Sequence, residues 1–335
     1  MDYATIRAVA VHLPPLTERN DVPARLAKAL GIERRHVASW DQATSDLAVA
    51  AAEQLFTMFP QARTGVDFVL LCTQHPDYVL PATACLVADR LGLPKGVGAL
   101  DYNLGCSGYV YGLALAKGLV ETGLSRRLLL LTAVLTARNV PPTKVGWRAL
   151  FGDAATATLI DAVPRERPAL SAFVFGTDGA GTEAVVQYRG GTRRPFTVND
   201  RATVDGVHLD LGFNMNDDAV TAFMLRTVPP LVDSVLAKAG VDRAGLDQVV
   251  FHQPNRLMLD HLRRRCRLGD TPFFNNLAET GNTASSSVPI GLHDVLSRRP
   301  PTELRRVLLA GFGIGLSWAG CMADLTDAWV GGASS

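Results

Sequence analysis

The strongest constraint on the fold is a faint but ordered repetition. Val66-Asp67-Phe68-Val69-Leu70-Leu71 resembles Leu246-Asp247-Gln248-Val249-Val250-Phe251, offset by 180. Arg126-Arg127-Leu128-Leu129-Leu130 resembles Arg305-Arg306-Val307-Leu308-Leu309, offset by 179. Gly105-Cys106-Ser107-Gly108 stands opposite Gly281-Asn282-Thr283-Ala284, offset by 176. Each match is poor by itself. Three in one order at nearly one offset predict a duplicated half of about 180 residues. Cys106 and Asn282 then occupy equivalent points, each at the start of a central helix.

Apolar runs at 8–13, 68–72, 128–133, 156–160, 249–252 and 307–310 read as strands. Helical patterns at 47–58, 82–91, 108–120, 220–239 and 256–266 separate most of them. That alternation predicts an α/β protein with a mostly parallel sheet. A chain of 335 residues, 47% hydrophobic, can build two packed halves. We expect them at 1–165 and 166–335. Residues 185–210 read as a surface insertion or lid, and 331–335 as a loose tail.

The net charge of +1 gives no general attraction to nucleic acid or membrane. The run Arg263, Arg264, Arg265 and Arg267 reads as a solvated helix face. No apolar run looks long enough to span a bilayer, and residues 1–7 lack a signal-peptide layout. The five cysteines are odd in number and lack metal-ligand spacing. A reduced cytoplasm and no metal are the expectation.

Cys106 opens a small, apolar, glycine-flanked stretch. A cysteine at a helix N-terminus feels the positive end of the dipole, which favours thiolate. Thiolate attacks thioester carbonyls. Cys72, Cys85, Cys266 and Cys321 read as structural. His252 follows the run Val249-Val250-Phe251, at the C-terminal end of a strand, where α/β proteins place their sites. The remaining histidines lack such a context. Asn282 lies in a Gly-Asn-Thr turn; its amide donates without carrying charge. With His252 it can hold a thioester oxygen as negative charge develops. The glycine-rich segment 311–318 follows the last apolar strand, and its N–H groups can form an oxyanion hole with the Cys106 amide. It lacks the Lys and Ser/Thr of a P-loop, which argues against nucleotide binding. A papain-like protease also uses Cys, His and Asn, but the motif surroundings and the repeated α/β pattern exclude it.

These segments together resemble the β-ketoacyl-acyl carrier protein synthase III family of the thiolase-like superfamily. The resemblance runs through 31–36, 81–85, the Cys106 segment, Leu150-Phe151-Gly152-Asp153-Ala154-Ala155, His252-Gln253-Pro254-Asn255, Gly281-Asn282-Thr283 and 311–318. It implies a thiolase fold: duplicated βαβαβαββ halves in a five-layered αβαβα arrangement, usually a homodimer. It implies a ping-pong reaction without a separate cofactor. Cys106 takes an acyl group from acyl-CoA or acyl carrier protein. Malonyl-acyl carrier protein then binds, His252 and Asn282 support its decarboxylation, and a β-ketoacyl thioester leaves. The amides of Cys106 and Ile314 are the implied oxyanion hole. Leu80, Trp147, Arg148, Asp217, Asn255 and Arg256 are the implied substrate-binding positions.

The chain departs from the family pattern in places. No tryptophan precedes Gly31. Arg256 stands one position before the family's arginine, Asp217 replaces a glycine, and Ile314 replaces a small residue. The segment Tyr78-Val79-Leu80 before Pro81 holds no Phe, so an acyl group longer or bulkier than acetyl is expected. These changes suggest a specialised relative in a lipid or polyketide-type pathway. Two other readings remain open: acyl transfer to an alcohol or amine without decarboxylation, and a non-catalytic partner subunit.

Overall fold

The computed structural model describes residues 1–141, 143–195 and 212–329. The first half runs β1 (Asp2–His12), β2 (Leu16–Arg19), α1 (Ala24–Leu30), β3 (Arg34–Val37), α2 (Thr44–Met58), β4 (Phe68–Cys72), α3 (Thr83–Arg90) and β5 (Gly98–Tyr102). It continues with α4 (Gly108–Glu121), β6 (Arg127–Val134), α5 (Val145–Arg148) and β7 (Ala154–Pro164). The second half holds β8 (Leu170–Thr177), β9 (Val185–Gln187), β10 (Phe213–Met215), α6 (Asp217–Ala239), β11 (Gln248–Phe251) and α7 (Arg256–Arg265). It ends with α8 (Leu277–Thr280), α9 (Ser287–Arg298), β12 (Val307–Gly313) and β13 (Ser317–Ala323).

The two large sheets repeat one another. The first has the order β1-β7-β6-β4-β5 and the second β11-β12-β13-β8. In the first, β4 pairs with β6 in parallel and β6 with β7 antiparallel. In the second, β11 pairs with β12 in parallel and β12 with β13 antiparallel. The segments aligned by the sequence offset thus hold equivalent places in the two sheets. A counterpart of β5 is reduced to one bridge, Val249 to Phe273.

Between the sheets lie α4 and α9. Helix α4 is apolar on most of its circumference, and Tyr109, Val110, Leu113 and Ala116 are fully buried. A helix hydrophobic all round belongs in a core. Leu113 packs in a cluster with Leu130 of the first sheet and Leu309 of the second. Leu113→Ala is expected to cost about 2–5 kcal/mol, read as a lower urea midpoint with an unchanged slope. An unchanged midpoint would contradict the central placement. Helices α2 and α3 cover the outer face of the first sheet, and α6 covers β8 and β13. The layers therefore run α, β, α, β, α. This is the thiolase fold.

Several expectations need adjustment. Strand β1 begins at Asp2, because its whole length pairs antiparallel with β7. The apolar run at 8–13 marked only its C-terminal part. Helix α6 begins at Asp217, where the Asn216 side chain accepts from the Ala219 N–H at 3.0 Å. Helix α6 has 23 residues and holds an 18-residue window of mean hydropathy 1.3, so by length and composition alone it could cross a membrane, contrary to the expectation for the chain. Its buried residues Phe223, Val228, Leu231 and Val235 pack in the core. Of the expected insertion, Val185–Gln187 pairs with Phe213–Met215 as a small ribbon. Residues 196–211 and 330–335 lie outside the described residues.

Candidate active site

Cys106 stands two residues before α4, Asn282 in the matching turn before α9, and His252 directly after β11. All three line one cavity of about 380 Å³, together with Phe312, Gly313 and Ile314 from the end of β12. The duplication places Cys106 and Asn282 at the facing ends of the two central helices. The parallel pairing of β11 with β12 brings His252 beside Phe312. Their rings meet edge to face at 5.7 Å.

Cys106 is partly open to the cavity. Burial pushes its thiol up to about 12, while the backbone N–H groups of Ile314 and Cys106 donate toward the sulfur and act in the opposite direction. Desolvation thus acts against the thiolate that a helix N-terminus favours. Glycine is required at 313: a Cβ there would lie 2.8 Å from Cys106 Sγ. Cys106 alkylation by iodoacetamide is expected to rise roughly tenfold per pH unit between about pH 6 and 9. A plateau below pH 8 would instead reveal a stabilised thiolate.

His252 is 2% exposed, and its N–H bonds the Ala310 carbonyl at 2.7 Å. Burial pushes its imidazole down to about 3, so the ring is neutral at working pH. Nδ1 lies 2.8 Å from Ser287 Oγ. That hydroxyl also reaches the Ala284 carbonyl at 2.8 Å. It has one proton. Donated to Ala284, it makes Nδ1–H the donor and Nε2 an acceptor. Turned to Nδ1, it leaves Nε2–H as a donor.

Asn282 is 5% exposed and is gripped by the first half of the chain. Its N–H donates to Leu150 O at 2.9 Å, and its carbonyl accepts from the Gly152 N–H at 3.0 Å. Asn282 Oδ1 accepts from the Ala284 N–H at 2.9 Å. That bond leaves the amide nitrogen as the group to meet a ligand oxygen; its contact with Pro254 O is long, at 3.5 Å. The Leu150-Phe151-Gly152 segment is thus a backbone clamp. Beside it the buried Asp153 carboxylate accepts from Ala38 and Ala137 N–H, both at 2.9 Å.

The other expected residues divide. Trp147, Asp217 and Asn255 line the cavity. Trp147 approaches Phe213 edge to face at 5.9 Å, and its Nε1 is 3.5 Å from Asp217 Oδ2. Asn255 also caps α7, accepting from the Met258 N–H at 2.8 Å. Arg148 and Arg256 are not on the cavity wall. Arg148 approaches Glu18 at 3.3 Å, drawn by its carboxylate. The Arg256 stem packs over Gly31, and the wall position falls to Leu257. Leu80 is 80% exposed and lines neither this cavity nor its neighbour. Sequence reasoning missed Ser287 and Phe312. Phe312 sits inside the recognised segment 311–318 and Ser287 four residues after Gly281-Asn282-Thr283, but only packing places them against His252.

The two stacked, duplicated halves and the cavity between their central helices define a thiolase-fold, acyl-transferring condensing enzyme. Comparison with known proteins narrows the class. The family profile described as 3-oxoacyl-[acyl-carrier-protein (ACP)] synthase III matches residues 100–179, and its C-terminal profile matches 236–325. The β-ketoacyl-[acyl-carrier-protein] synthase III of Deinococcus deserti is 33% identical, over 98% of this chain and 92% of that protein. Synthase III 3 of Streptomyces coelicolor is 35% identical, over 86% and 84%. A crystal structure of a 3-oxoacyl-(acyl-carrier-protein) synthase III superposes with a TM-score of 0.89 and 42% identity, covering 96% of this chain and 99% of that one. The chain belongs to the β-ketoacyl-acyl carrier protein synthase III family.

Proposed function

We propose that this enzyme loads an acyl group on Cys106 and condenses it with a malonyl thioester, with loss of carbon dioxide. The observation that carries the reading is the convergence of Cys106, His252 and Asn282 on one cavity, with two backbone N–H groups directed at the sulfur. In loading, the thiol gives its proton to water as sulfur attacks the donor carbonyl, and the N–H groups of Cys106 and Ile314 hold the oxyanion. The donor thiolate leaves and is protonated. In condensation, the malonyl C–CO2 bond breaks and its electron pair passes into an enolate. Asn282 Nδ2–H and His252 Nε2–H hold the enolate oxygen. The α-carbon then attacks the acyl-cysteine, and the N–H groups of Cys106 and Ile314 hold the tetrahedral oxyanion. Collapse expels the Cys106 sulfur, which recovers a proton.

Acyl carrier protein serves as the malonyl carrier, and acyl-CoA or acyl carrier protein as the donor; no separate cofactor takes part. The working form is a homodimer. Support comes from the loop Tyr78-Val79-Leu80, whose apolar side chains stand largely in solvent, Val79 at 93% exposure. The chain divides at 165/166 into its two halves. A specialised pathway and a reduced cytoplasmic setting complete the reading, the first supported by Asp217 and Ile314 on the cavity wall, the second by five free cysteines.

The test is intact-protein mass spectrometry on the enzyme with malonyl-acyl carrier protein and a panel of acyl-CoA and acyl-carrier donors. An adduct on Cys106, together with a carrier mass raised by the acyl group and lowered by carbon dioxide, supports the proposal. An adduct without carrier extension sinks condensation and points to acyl transfer.

A further inference from the structure

A second cavity, of about 850 Å³, adjoins the first. Gln74, Thr136, Val185, Phe213 and Ile314 line both, whereas Cys106, His252 and Asn282 line only the first. The shared wall lies against the nucleophile's own backbone. A Cβ on Gly105 would stand 2.1 Å from Ile314 Cγ2 and 2.9 Å from Gln74 Oε1. An acyl group on the sulfur that turns away from His252 and Asn282 therefore passes the Gln74 amide.

The second cavity is not lined as a simple alkyl slot. The Gln74 amide has no hydrogen-bond partner among the described residues. His75 Nδ1 is buried and likewise unpartnered among them. Burial pushes the His75 ring down to about 4, so it is neutral at working pH. The charged residues on this wall balance, Asp41 and Asp77 against Arg138 and Arg189. Leu135, Val186 and Phe213 supply apolar surface for methylenes. A purely alkyl chain would leave the Gln74 amide desolvated and unmatched, which disfavours it relative to a chain carrying an oxygen there.

We propose that the acyl group accepted by Cys106 carries a neutral hydrogen-bonding oxygen, such as a hydroxyl, close to the thioester, and that Gln74 is the residue selecting it. The proposal rests on the acyl-cysteine reading and names its substrate class.

The experiment compares loading of Cys106 by the N-acetylcysteamine thioesters of hexanoic and 3-hydroxyhexanoic acid, followed by intact mass. These small donors exclude any influence of CoA or carrier recognition. The hydroxyacyl donor is expected to load with kcat/KM at least about tenfold higher. Gln74→Leu is expected to reverse the order, slowing the hydroxyacyl donor and speeding the alkanoyl one. Equal loading, or faster loading of hexanoyl, by the unaltered enzyme overturns the proposal whether or not the variant folds. Faster hydroxyacyl loading that Gln74→Leu leaves unchanged removes Gln74 as the selector. Acylation of a site other than Cys106 overturns the acyl-cysteine reading itself, and the proposal with it.

Discussion

Cys106→Ala is expected to abolish the acyl-enzyme adduct and lower turnover by at least about 10^4-fold. The sulfur is the only atom lost, and the groups around it belong to rigid elements. Gly313 closes β12, and Ile314 follows directly. Gly108 starts α4 under close packing: a Cβ there would stand 2.3 Å from Cys72 Sγ. The cavity should keep its shape, so circular dichroism and the melting temperature should change little. Cys72 is no substitute nucleophile. It is fully buried, donates to Leu104 O at 3.2 Å, and does not line the cavity. An adduct that persists on the variant at normal stoichiometry would remove Cys106 from its assigned role.

Asn282→Ala and His252→Ala separate the two half-reactions. Loading should survive in both, because the acyl oxyanion meets the Cys106 and Ile314 amides. Condensation should fall by about 10^2–10^3-fold for each, the usual cost of removing one preorganised donor from a developing oxyanion. The loss should fall on kcat more than on KM, since the interaction strengthens as the enolate forms. Asn282→Ala also removes the acceptor for the Ala284 N–H, so Asn282→Asp is the sharper variant. The carboxylate keeps that bond and puts an acceptor where a donor is needed. It should therefore impair condensation as severely. Normal condensation by Asn282→Asp and His252→Ala would refute the enolate-holding assignment.

The neutral state of His252 has a consequence for pH profiles. Its imidazole protonates only near pH 3, so an acid limb in condensation between about pH 5 and 7 should not arise from it in the free enzyme.

Much of this was legible in the chain. The repeated Val-Asp-Phe-Val-Leu-Leu and Leu-Asp-Gln-Val-Val-Phe segments became β4 and β11, each paired in parallel with the strand, β6 or β12, that turns antiparallel to its next neighbour. Local patterning carries such information, since strand and helix periods depend on neighbours close in sequence. Strands β8 and β13 were missed. Polar and small residues interrupt their apolar positions, as in Leu170-Ser171-Ala172-Phe173, and their identity as strands comes from pairing with each other.

The sequence by itself determined that the chain is a duplicated α/β protein, that Cys106 and Asn282 share a structural position, and that His252 ends a strand. Those features follow from periodicity and offset. Only the tertiary structure decided what surrounds them. Arg148 turned to Glu18, Arg256 folded over Gly31, and Leu257 and Gln74 took places on the cavity walls. Burial also pushes the Cys106 thiol up and the His252 imidazole down. Side-chain direction and desolvation are set by contacts between residues far apart in the chain, and a local pattern does not encode them.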